Sequence, residues 1–372
     1  MKILHLISGG DTGGAKTHVL SLIDKLSKGV SIKLICFIED QFYEDGKSMG
    51  LDIEVYNQKN RFDFTVIERL KDLINSEEYN IVHCHGARAN FIGMFLKRKV
   101  NVSFVTTIHS DYKLDFKDNF YKKVLFTKLN EIALKRFDYY IAVSNNFKEM
   151  LESRGFNSKK IFTVYNGIDL EKKVKIIEKT KFLKSYGIEY NDEKIIGIAA
   201  RLDTNKSVNT LIEASQQVLI QRSDVKFLIA GTGDEASNLQ QAIVDNCLDE
   251  KVYMLGFVKE NYSFFNAIDI NILTSKSESF PYVILEGAKC KKTIISTDVG
   301  GIRDLVIKGK NGYLFEVENS KELGEFILKT LENDKYKIMG EELYKTVKSN
   351  FSLEKMSQDH VKIYQKIKKN AL

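Results

Sequence analysis

Short apolar runs alternate with segments of helical periodicity along the chain, and this pattern restricts the fold more than any other feature. Eleven runs have this character: Ile3–Ile7, Ile32–Ile38, Ile53–Tyr56, Ile81–His85, Phe104–His109, Tyr139–Val143, Ile195–Ala199, Lys226–Ala230, Val252–Leu255, Ile270–Leu273 and Thr293–Ser296. Near-continuous Val, Ile and Leu residues are typical of parallel strands that helices cover on both faces. The alternation therefore predicts an α/β fold of right-handed β-α-β units in doubly wound parallel sheets.

The pattern is interrupted once, between Asn166 and Asp192. A length of 372 residues is enough for two domains, each with its own core. We therefore expect one Rossmann-like domain over residues 1–168 and a second over residues 169–352, with a cleft between them. The segment 353–372 has apolar residues at helical spacing, and we expect its helix to pack back onto the first domain.

Composition and charge argue against several classes of protein. Apolar residues make up 43% of the chain and charged residues 28%. No apolar run approaches the roughly 18–20 residues that span a bilayer, and we identify no signal peptide before the first strand. The four cysteines lack disulfide or metal spacing, which favours a reduced, cytoplasmic protein. A net charge of +6 does not require a nucleic-acid partner.

Two carboxylates eight positions apart, Glu278 and Glu286, flank the only proline of the chain. The residues before Pro281 predict a loop and those after it a helix, so free N–H groups and a positive dipole end should lie here. Helical side chains lean towards the N-terminus, so Glu286 can point back at the region that Glu278 lines. Such a cluster suits a sugar nucleotide; a loop–helix junction with two solvated acids is the alternative. The donor-binding candidates are Ser279, Phe280, Pro281, Tyr282 and Glu286.

Two basic residues, Arg201 and Lys206, follow the first strand of the second predicted domain. Two fixed cations at the mouth of a cleft suit a departing diphosphate, because charge-assisted hydrogen bonds contribute roughly 1.5–3 kcal/mol each. A pair of ordinary surface cations is the alternative. The next two strands end in further donor-side candidates, which are the tight-turn glycines Gly231 and Gly233, and Phe257 and Val258, where backbone groups could contact a nucleobase edge.

A glycine-rich loop, Ser8–Thr17, joins the first predicted strand to the first predicted helix. A P-loop needs lysine directly after the second glycine of a G-x4-G pair, but Ala15 intervenes and Lys16 comes one place late. A dinucleotide fingerprint needs G-x-G-x-x-G, which the loop lacks. We expect Gly13 and Gly14 to let the backbone approach a donor phosphate, with a purely structural turn as the alternative.

His109 ends the fifth predicted strand, and open α/β sheets place ligands at the carboxyl ends of their strands. We expect it to act at the site, with a structural histidine as the alternative. His83 and His85 lie on the fourth strand, where side chains alternate between faces and a fourth ligand is lacking, so we expect no metal site. Asn166 is a further candidate for lining the cleft on the donor side.

The acceptor side is less clearly marked. The segment Lys113–Arg136 has seven basic and three acidic residues interleaved with aromatic residues. This mixture fits an amphipathic helix on an anionic membrane surface, with a solvated helix as the alternative. The acceptor-side candidates are Lys122 and Lys123 in this segment, and His85 and Arg88 after the fourth strand.

The motifs of the two halves, taken together, resemble the retaining glycosyltransferases of family 4. The resemblance covers essentially the whole chain and is carried by Gly13-Gly14, His109, Asn166-Gly167-Ile168-Asp169, Arg201 with Lys206, and Glu278-x7-Glu286. It implies the GT-B architecture, in which two Rossmann-like doubly wound domains face each other across a cleft. The first domain would then bind the acceptor and the second the nucleotide-sugar donor.

The resemblance also implies roles for the site residues. In that family the cation pair holds the donor diphosphate, and the acid at the position of Glu286 binds the ribose hydroxyls. Glu278 and the loop after it would contact the donor sugar, and His109 would lie near the sugar and phosphate. The chain departs from the pattern at two positions: Ser207 stands where glycine is usual, and Pro281, where many members have glycine, removes one N–H.

We therefore interpret the chain as a cytoplasmic glycosyltransferase that moves a sugar from a nucleotide sugar, preferentially a UDP-sugar, to a hydroxyl of a glycan or lipid-linked glycan. The resemblance implies retention, and we expect no metal or other cofactor because two cations already face the leaving group. Peripheral association with the inner face of the membrane is a further expectation. The alternatives are a phosphorylase, a nucleotide-sugar epimerase and a non-catalytic nucleotide-sugar binding protein. The catalytic candidates are Arg201, Lys206, Glu278 and His109.

Overall fold

Two all-parallel sheets carry the fold, one in each of two structural units. The computed structural model describes residues 1–10, 13–60, 62–113 and 120–370. Unit 1 comprises Met1–Gly167 and the segment from Leu353 onward, and unit 2 comprises Ile168–Ser352. The first unit thus ends one residue before the boundary expected from the sequence.

Unit 1 alternates strands and helices in its N-terminal segment. Its strands are β1 (Lys2–Ile7), β2 (Ser31–Cys36), β3 (Ile53–Val55), β4 (Ile81–His85), β5 (Ser103–Ile108), β6 (Tyr139–Ala142) and β7 (Ile161–Thr163). Its helices in the same segment are α1 (Gly13–Leu26), α2 (Gln41–Ser48), α3 (Thr65–Ser76), α4 (Gly86–Leu96), α5 (Phe120–Leu134) and α6 (Asn145–Ser153).

Unit 2 repeats the alternation. Its strands are β8 (Lys194–Ala199), β9 (Val225–Ala230), β10 (Val252–Gly256), β11 (Ile270–Leu273), β12 (Thr293–Thr297) and β13 (Gly312–Phe315). Its helices are α7 (Lys179–Ser185), α8 (Asn209–Gln221), α9 (Ala236–Asp245), α10 (Asn261–Ala267), α11 (Tyr282–Lys289), α12 (Ser320–Leu331) and α13 (Lys335–Asn350).

The strand order reverses beside the first strand of each sheet. The order is β3-β2-β1-β4-β5-β6-β7 in unit 1 and β10-β9-β8-β11-β12-β13 in unit 2. The loops that leave β1 and β4, and those that leave β8 and β11, therefore turn to opposite faces of their sheet. A crevice opens where they diverge, and open α/β sheets bind ligands at this switch point.

The predicted α/β class and doubly wound parallel sheets are confirmed. All eleven predicted strands are present, and the apolar runs are buried because helices cover both faces. The sequence patterns missed β7 and β13, which are the outermost strands of the two sheets on corresponding sides. An edge strand has one hydrogen-bonded neighbour and can be short, so β7 and β13, with three and four residues, leave little periodic signal.

The C-terminal helix α14 (Leu353–Asn370) completes unit 1. Its apolar stripe is buried in the same core as α1 and β1, and Tyr364 is fully buried there. The Tyr364 hydroxyl lies 2.6 Å from Nδ1 of His83 on β4. A polar contact therefore adds to apolar burial in holding this helix on the sheet.

Candidate active site

At the switch point of unit 2, the loop after β8 meets the loop after β11. Nζ of Lys206 lies 2.5 Å from Oε1 of Glu278, and the two side chains are 21% and 11% exposed. The loops are also joined through Asn205, whose Nδ2 donates to the carbonyl of Ser277 (3.1 Å) and whose own carbonyl accepts from the N–H of Lys276 (2.7 Å). The predicted cation and the predicted acid are therefore held together by backbone contacts as well as by their charges.

Asp203 shapes the loop that carries Arg201 and Lys206. Its Oδ1 accepts the N–H groups of Asn205 (3.0 Å) and Lys206 (3.1 Å), and its Oδ2 accepts from Nε of Arg201 (2.5 Å). Burial alone would raise the pKa of Asp203, but these hydrogen bonds outweigh it, and the pKa is lower than usual. Asp203 is therefore an ionised carboxylate that orients the exposed side chain of Arg201 at the edge of the sheet.

Ser207, which follows the site lysine, has a left-handed backbone with a φ of 45°. This conformation costs a residue with a Cβ about 1–2 kcal/mol, whereas it costs glycine almost nothing. This explains on physical grounds why the family pattern has glycine here. The Ser207 hydroxyl lies 3.3 Å from that of Thr210, a contact that glycine could not make.

Two glycines allow neighbouring loops to approach the site residues closely. At Gly231, with a φ of 145°, a Cβ would lie 1.8 Å from the carbonyl oxygen of Ala200. At Gly300, with a φ of 56°, it would lie 1.9 Å from the carbonyl oxygen of Glu278. Gly231 and its neighbour Gly233 thus pack against the loop that carries Arg201. From the sequence we expected these glycines only to form a tight turn beside the ligand.

Glu286 lies in α11, which begins directly after Pro281 as predicted. Nδ2 of Asn261, the first residue of α10, donates to Oε1 of Glu286 at 3.0 Å. Burial raises the pKa of Glu286 to about 7, and the hydrogen bond from Asn261 opposes that rise. Near neutral pH this carboxyl group can therefore exchange a proton with little cost in free energy.

The remaining donor-side candidates of unit 2 differ in exposure. Phe280 and Tyr282 are 2% and 8% exposed, and Phe280 packs against Phe351 with ring centroids 5.0 Å apart. Their side chains therefore belong to the core, so a donor would contact these two residues through their backbone, and their place in the donor site stays a prediction. Ser279 accepts the N–H of Gly301 through its carbonyl at 2.9 Å.

Phe257 and Val258 follow β10, the outermost strand of its sheet. The Phe257 ring is 75% exposed, whereas Val258 is partly buried against the core. The carbonyl of the preceding Gly256 accepts the N–H of Gly231 at 2.8 Å. This contact ties the end of β10 to the glycine turn beside the Arg201 loop.

All six histidines of the chain cluster in unit 1. His83 and His85 lie on one face of β4 and Cys84 on the other, so their separation by two residues brings the two histidines together. His5 pairs with His83 across the β1–β4 ladder. Burial is the main cause of a lowered pKa in each of the six, so they are neutral near pH 7.

Ring nitrogens of His5, His83 and His85 lie within 4.8 Å of one another, a spacing that could be compatible with a metal ion. Both nitrogens of His83 are already hydrogen-bonded, however, to the hydroxyls of Tyr364 (2.6 Å) and Thr107 (2.8 Å). A neutral imidazole has one donor and one acceptor, so His83 has no lone pair left for a metal. The arrangement fits a hydrogen-bonded network better than a metal centre.

The other candidates of unit 1 lie at or beneath the carboxyl edge of its sheet. Gly13, with a φ of 62°, starts α1, and both Gly13 and Gly14 are exposed. Oδ1 of Asn166 lies 2.8 Å from Nδ1 of His18, so this buried side chain serves the histidine cluster. Nε of Arg88 donates to Gln58 at 2.7 Å.

Two of the acceptor-side expectations concern His85 and the lysine pair Lys122-Lys123. His85 is 1% exposed, and both its ring nitrogens contact other histidines, so it lies beneath the edge and cannot face an acceptor directly. Burial of the whole β4 strand explains the difference. The side chains of Lys122 and Lys123, and residues 114–119 of the basic segment, lie outside the described part of the chain.

Sequence reasoning missed several residues that position the site. Asp203 and Asn205 stand between the two predicted cations and could have been found as turn formers in a ligand loop. The pair Gly300-Gly301, which follows the buried strand β12 after two intervening residues, was a further signal. Asn261 had no recognisable signal in the sequence, because its contact with Glu286 arises only when α10 packs beside α11.

Two family models match the chain. Residues 12–172 match glycosyltransferase family 4, and residues 179–350 match the glycosyl transferases group 1. In the part of the chain that the structure describes, no helix is long and apolar enough to cross a bilayer.

Curated relatives agree with the models. An uncharacterized glycosyltransferase of Methanocaldococcus jannaschii is 27% identical over 365 residues, 95% of each chain. N-acetyl-alpha-D-glucosaminyl L-malate synthase of Bacillus anthracis is 26% identical over 308 residues, 82% of this chain and 79% of that protein. The O-antigen biosynthesis glycosyltransferase WclY of Escherichia coli is 24% identical over 384 residues and covers both chains fully.

Among solved structures, Anabaena HepE in complex with UDP has a TM-score of 0.85 at 21% identity, over 98% of this chain and 100% of that one. The same protein has also been solved with UDP-glucose. Family models in both units, glycosyltransferases among the relatives and this shared architecture lead to one conclusion. The chain is an enzyme of the family 4 type of glycosyltransferases, with the GT-B fold.

Proposed function

We propose that this enzyme transfers a sugar from a UDP-sugar to a hydroxyl acceptor, with retention of configuration and without a metal ion. The observation that carries the proposal is the contact of Lys206 with Glu278 at the switch point of unit 2, where a fixed cation and a fixed acid lie 2.5 Å apart. Arg201 stands on the same loop. UDP and UDP-glucose, the ligands named for HepE, support a uridine nucleotide as the donor.

Departure of the diphosphate is the step that this arrangement would assist. As the bond from C1 to the diphosphate oxygen breaks, negative charge grows on the phosphate oxygens and C1 gains oxocarbenium character. Arg201, Lys206 and the free N–H groups at the start of α11 would meet that charge, and preorganised groups of this kind are often the largest single contribution to catalysis. Preformed cations would make a metal ion dispensable.

The ion pair gives Lys206 and Glu278 linked roles. A bound diphosphate would compete with Glu278 for the ammonium group of Lys206. As the lysine turns to phosphate, the Glu278 carboxylate would become free to accept hydrogen bonds from the hydroxyls of the donor sugar. Binding of the two halves of the donor would therefore reinforce each other.

Glu286 would bind the ribose. Asn261 occupies only Oε1, so the carboxylate keeps lone pairs for the two ribose hydroxyls. Since hydroxyls donate, the ionised form of Glu286 is the binding form. A pKa of about 7 then makes donor affinity depend on pH in the neutral range.

A glycan or lipid-linked glycan is the acceptor we propose, at the inner face of the cell membrane. The O-antigen relative supports a growing glycan, whereas the relative from Bacillus anthracis is named for a small acceptor, malate. The exposed Lys128 and Ile132 of α5 would suit a membrane surface, and the first turn of α4, which carries Arg88, would face the acceptor.

UDP binding tests the donor site directly. UDP should raise the unfolding temperature of the wild type, because a ligand that binds only the folded state stabilises it by mass action. Arg201→Ala should lose most of this shift. Arg222→Ala is the matched control, since Arg222 also pairs with an aspartate two residues later but lies at the end of α8. Equal UDP shifts in both variants would count against the diphosphate assignment.

Turnover assays separate the reaction classes. Donor consumption should be slow with UDP-sugar alone and should rise when a lipid-linked saccharide is added. Rapid release of free sugar without an acceptor would indicate an epimerase or a hydrolase, and phosphate-dependent turnover a phosphorylase. A response to malate but not to saccharides would contradict the glycan acceptor.

A further inference from the structure

Three of the clustered histidines form a chain of hydrogen bonds that ends at the carboxyl edge of the unit 1 sheet. Nδ1 of His5 lies 3.0 Å from Nε2 of His85, and Nδ1 of His85 lies 3.1 Å from Nε2 of His109. His5 and His85 are fully buried, whereas His109 is partly exposed. The chain therefore connects the interior of the unit with a residue that a ligand can reach.

The buried end decides which way the hydrogen bonds run. Nε2 of His5 is buried and has no hydrogen-bond partner in the described part of the chain. A buried N–H without an acceptor is rarer in proteins than an unused lone pair. The single ring hydrogen of neutral His5 therefore sits on Nδ1, and Nε2 carries the unused lone pair.

The position of the hydrogen on His5 determines its position on the next two rings, because a neutral imidazole carries one ring hydrogen. Nδ1–H of His5 donates to Nε2 of His85, so the hydrogen of His85 is on Nδ1. That N–H donates to Nε2 of His109, so the hydrogen of His109 is also on Nδ1. These tautomers follow from the hydrogen-bond network, which is how histidine hydrogens are assigned when they are not observed directly.

The surroundings keep the three rings neutral. Burial is the first cause of the lowered pKa in each of them, with further lowering from neighbouring histidines. The pKa of His5 falls to about 3 and that of His109 to about 4. Protonation of a second nitrogen, which would remove the tautomer preference, therefore does not compete near pH 7.

We propose that His85, itself oriented by His5, is a positioning residue that holds His109 in the tautomer whose Nδ1–H, at the edge of the sheet, has no partner in the described part of the chain. In this state His109 offers a ligand a hydrogen-bond donor and never a lone pair. It would donate to an oxygen of a bound substrate, so the inference rests on the proposed sugar transfer. Without the N–H of His85, nothing would hold the ring hydrogen of His109 on Nδ1, and His109 could adopt the other tautomer.

His83 provides an internal comparison. It is as deeply buried as His85, and the two rings stack with centroids 4.3 Å apart. Its hydrogen bonds go to Tyr364 and Thr107, however, and not to His109. A change at His83 should therefore disturb packing to a similar extent while leaving the donor to His109 in place.

Two nearly isosteric substitutions of His85 test the proposal. Asparagine can place an amide N–H where Nδ1–H stood, whereas leucine cannot. Histidine ¹⁵N NMR of the full chain should show His109 protonated on Nδ1 in the wild type and in His85→Asn. In His85→Leu and not in His83→Leu, His109 should exchange between tautomers. We expect kcat to fall by about 10- to 100-fold in His85→Leu, the effect of losing a hydrogen bond to a charged group, and by much less in His85→Asn.

Two results would overturn the inference: protonation of His109 on Nε2 in the wild type, or the same His109 tautomer in the Asn and Leu variants of His85. The wild-type spectrum alone can decide the first, so the test survives if a variant does not fold. NMR requires no turnover, so a failure of UDP-sugar transfer would leave the tautomer result standing and would count only against the proposed function.

Discussion

Lys206 and Glu278 are 72 positions apart in the sequence, and their side chains meet at 2.5 Å where the strand order of unit 2 reverses. Neither group is freely solvated, so removing one leaves a partly buried charge without its partner. The pair also neutralises the site before a ligand arrives. A donor diphosphate that binds Lys206 must therefore displace Glu278 from the lysine.

Lys206→Ala should reduce kcat by about 10²- to 10³-fold, the usual effect of removing one preorganised group that stabilises developing charge. Lys276→Ala is the matched control. Lys276 lies in the adjoining loop and pairs with Glu318 at 2.6 Å, but both side chains are exposed. Steady-state kinetics with saturating UDP-sugar provide the measurement. Near wild-type kcat in Lys206→Ala would remove the lysine from the leaving-group site.

Donor binding should strengthen as pH rises through 7. Glu286 has a pKa of about 7 in the free enzyme, and its ionised form binds the ribose, so donor binding releases a proton. At pH 6 about a tenth of the groups are ionised, and the Kd for UDP should be about tenfold higher than at pH 8. Isothermal titration calorimetry in two buffers of different ionisation enthalpy would detect the proton directly.

Two variants control this pH dependence. Glu286→Gln should bind UDP weakly at every pH, because the ionisable group is gone. Asn261→Ala should shift the dependence to higher pH, because the hydrogen bond from Asn261 favours the ionised carboxylate. An unchanged pH profile in Glu286→Gln would show that another group titrates.

Unit 1 should lose stability in mild acid before unit 2 does. All six histidines belong to unit 1, and their pKa values in the folded state lie below 6.5, with about 3 for His5 and about 4 for His109 and His360. Below pH 6.5 the unfolded chain therefore binds protons that the folded chain does not. The stability is complete above pH 6.5 and is lost progressively as pH falls towards the folded-state values.

The size of this loss makes it measurable. One pH unit below 6.5, each buried neutral histidine lowers the free energy of unfolding by about 1.4 kcal/mol. Several together approach the free energy of unfolding of a typical domain, which is about 5–15 kcal/mol. Hydrogen exchange followed by mass spectrometry should show unit 1 peptides losing protection between about pH 6 and 5 while unit 2 peptides retain it. Simultaneous loss in both units would contradict the assignment to the histidines.

Transfer activity should survive excess EDTA. Arg201 and Lys206 supply positive charge at the proposed leaving-group site, so a divalent cation has no necessary role there. Activity after chelation and gel filtration should match that of the untreated enzyme within about twofold. An absolute requirement for Mg²⁺ or Mn²⁺ would argue strongly against leaving-group stabilisation by the two side chains alone.

The basic segment Lys113–Arg136 should bind anionic vesicles in a salt-sensitive way. Its seven basic and three acidic residues give a net charge of +4, and each basic residue near such a surface contributes about 1 kcal/mol. Charge reversal at Lys122 and Lys123 should release the protein in a flotation assay. Reversal of Lys368 and Lys369, exposed at the end of α14, changes the net charge equally and should not. A wild type that stays unbound at low salt would refute the membrane proposal.

All strands except β7 and β13 were predictable, as was the division into two units, because they depend on local apolar periodicity. Ile81–His85 and Ile270–Leu273 have the composition of a doubly covered strand wherever they are placed in the sheet, so the pattern alone identified them. Pro281 likewise predicted the start of α11, since its ring restricts only its own φ and the residue before it. Such features need no knowledge of distant residues.

Contacts between distant segments were decided only by the tertiary structure. The loops of Lys206 and Glu278 meet because β8 and β11 are neighbours, and Asn261 reaches Glu286 because α10 packs beside α11. The sequence by itself determined eleven of the strands, the glycine and acid motifs and the family resemblance, because each of these depends on a short stretch of neighbouring residues. Strand order and register decided which side chains share a site, because these arise from pairing across the chain and leave no trace in the neighbouring residues.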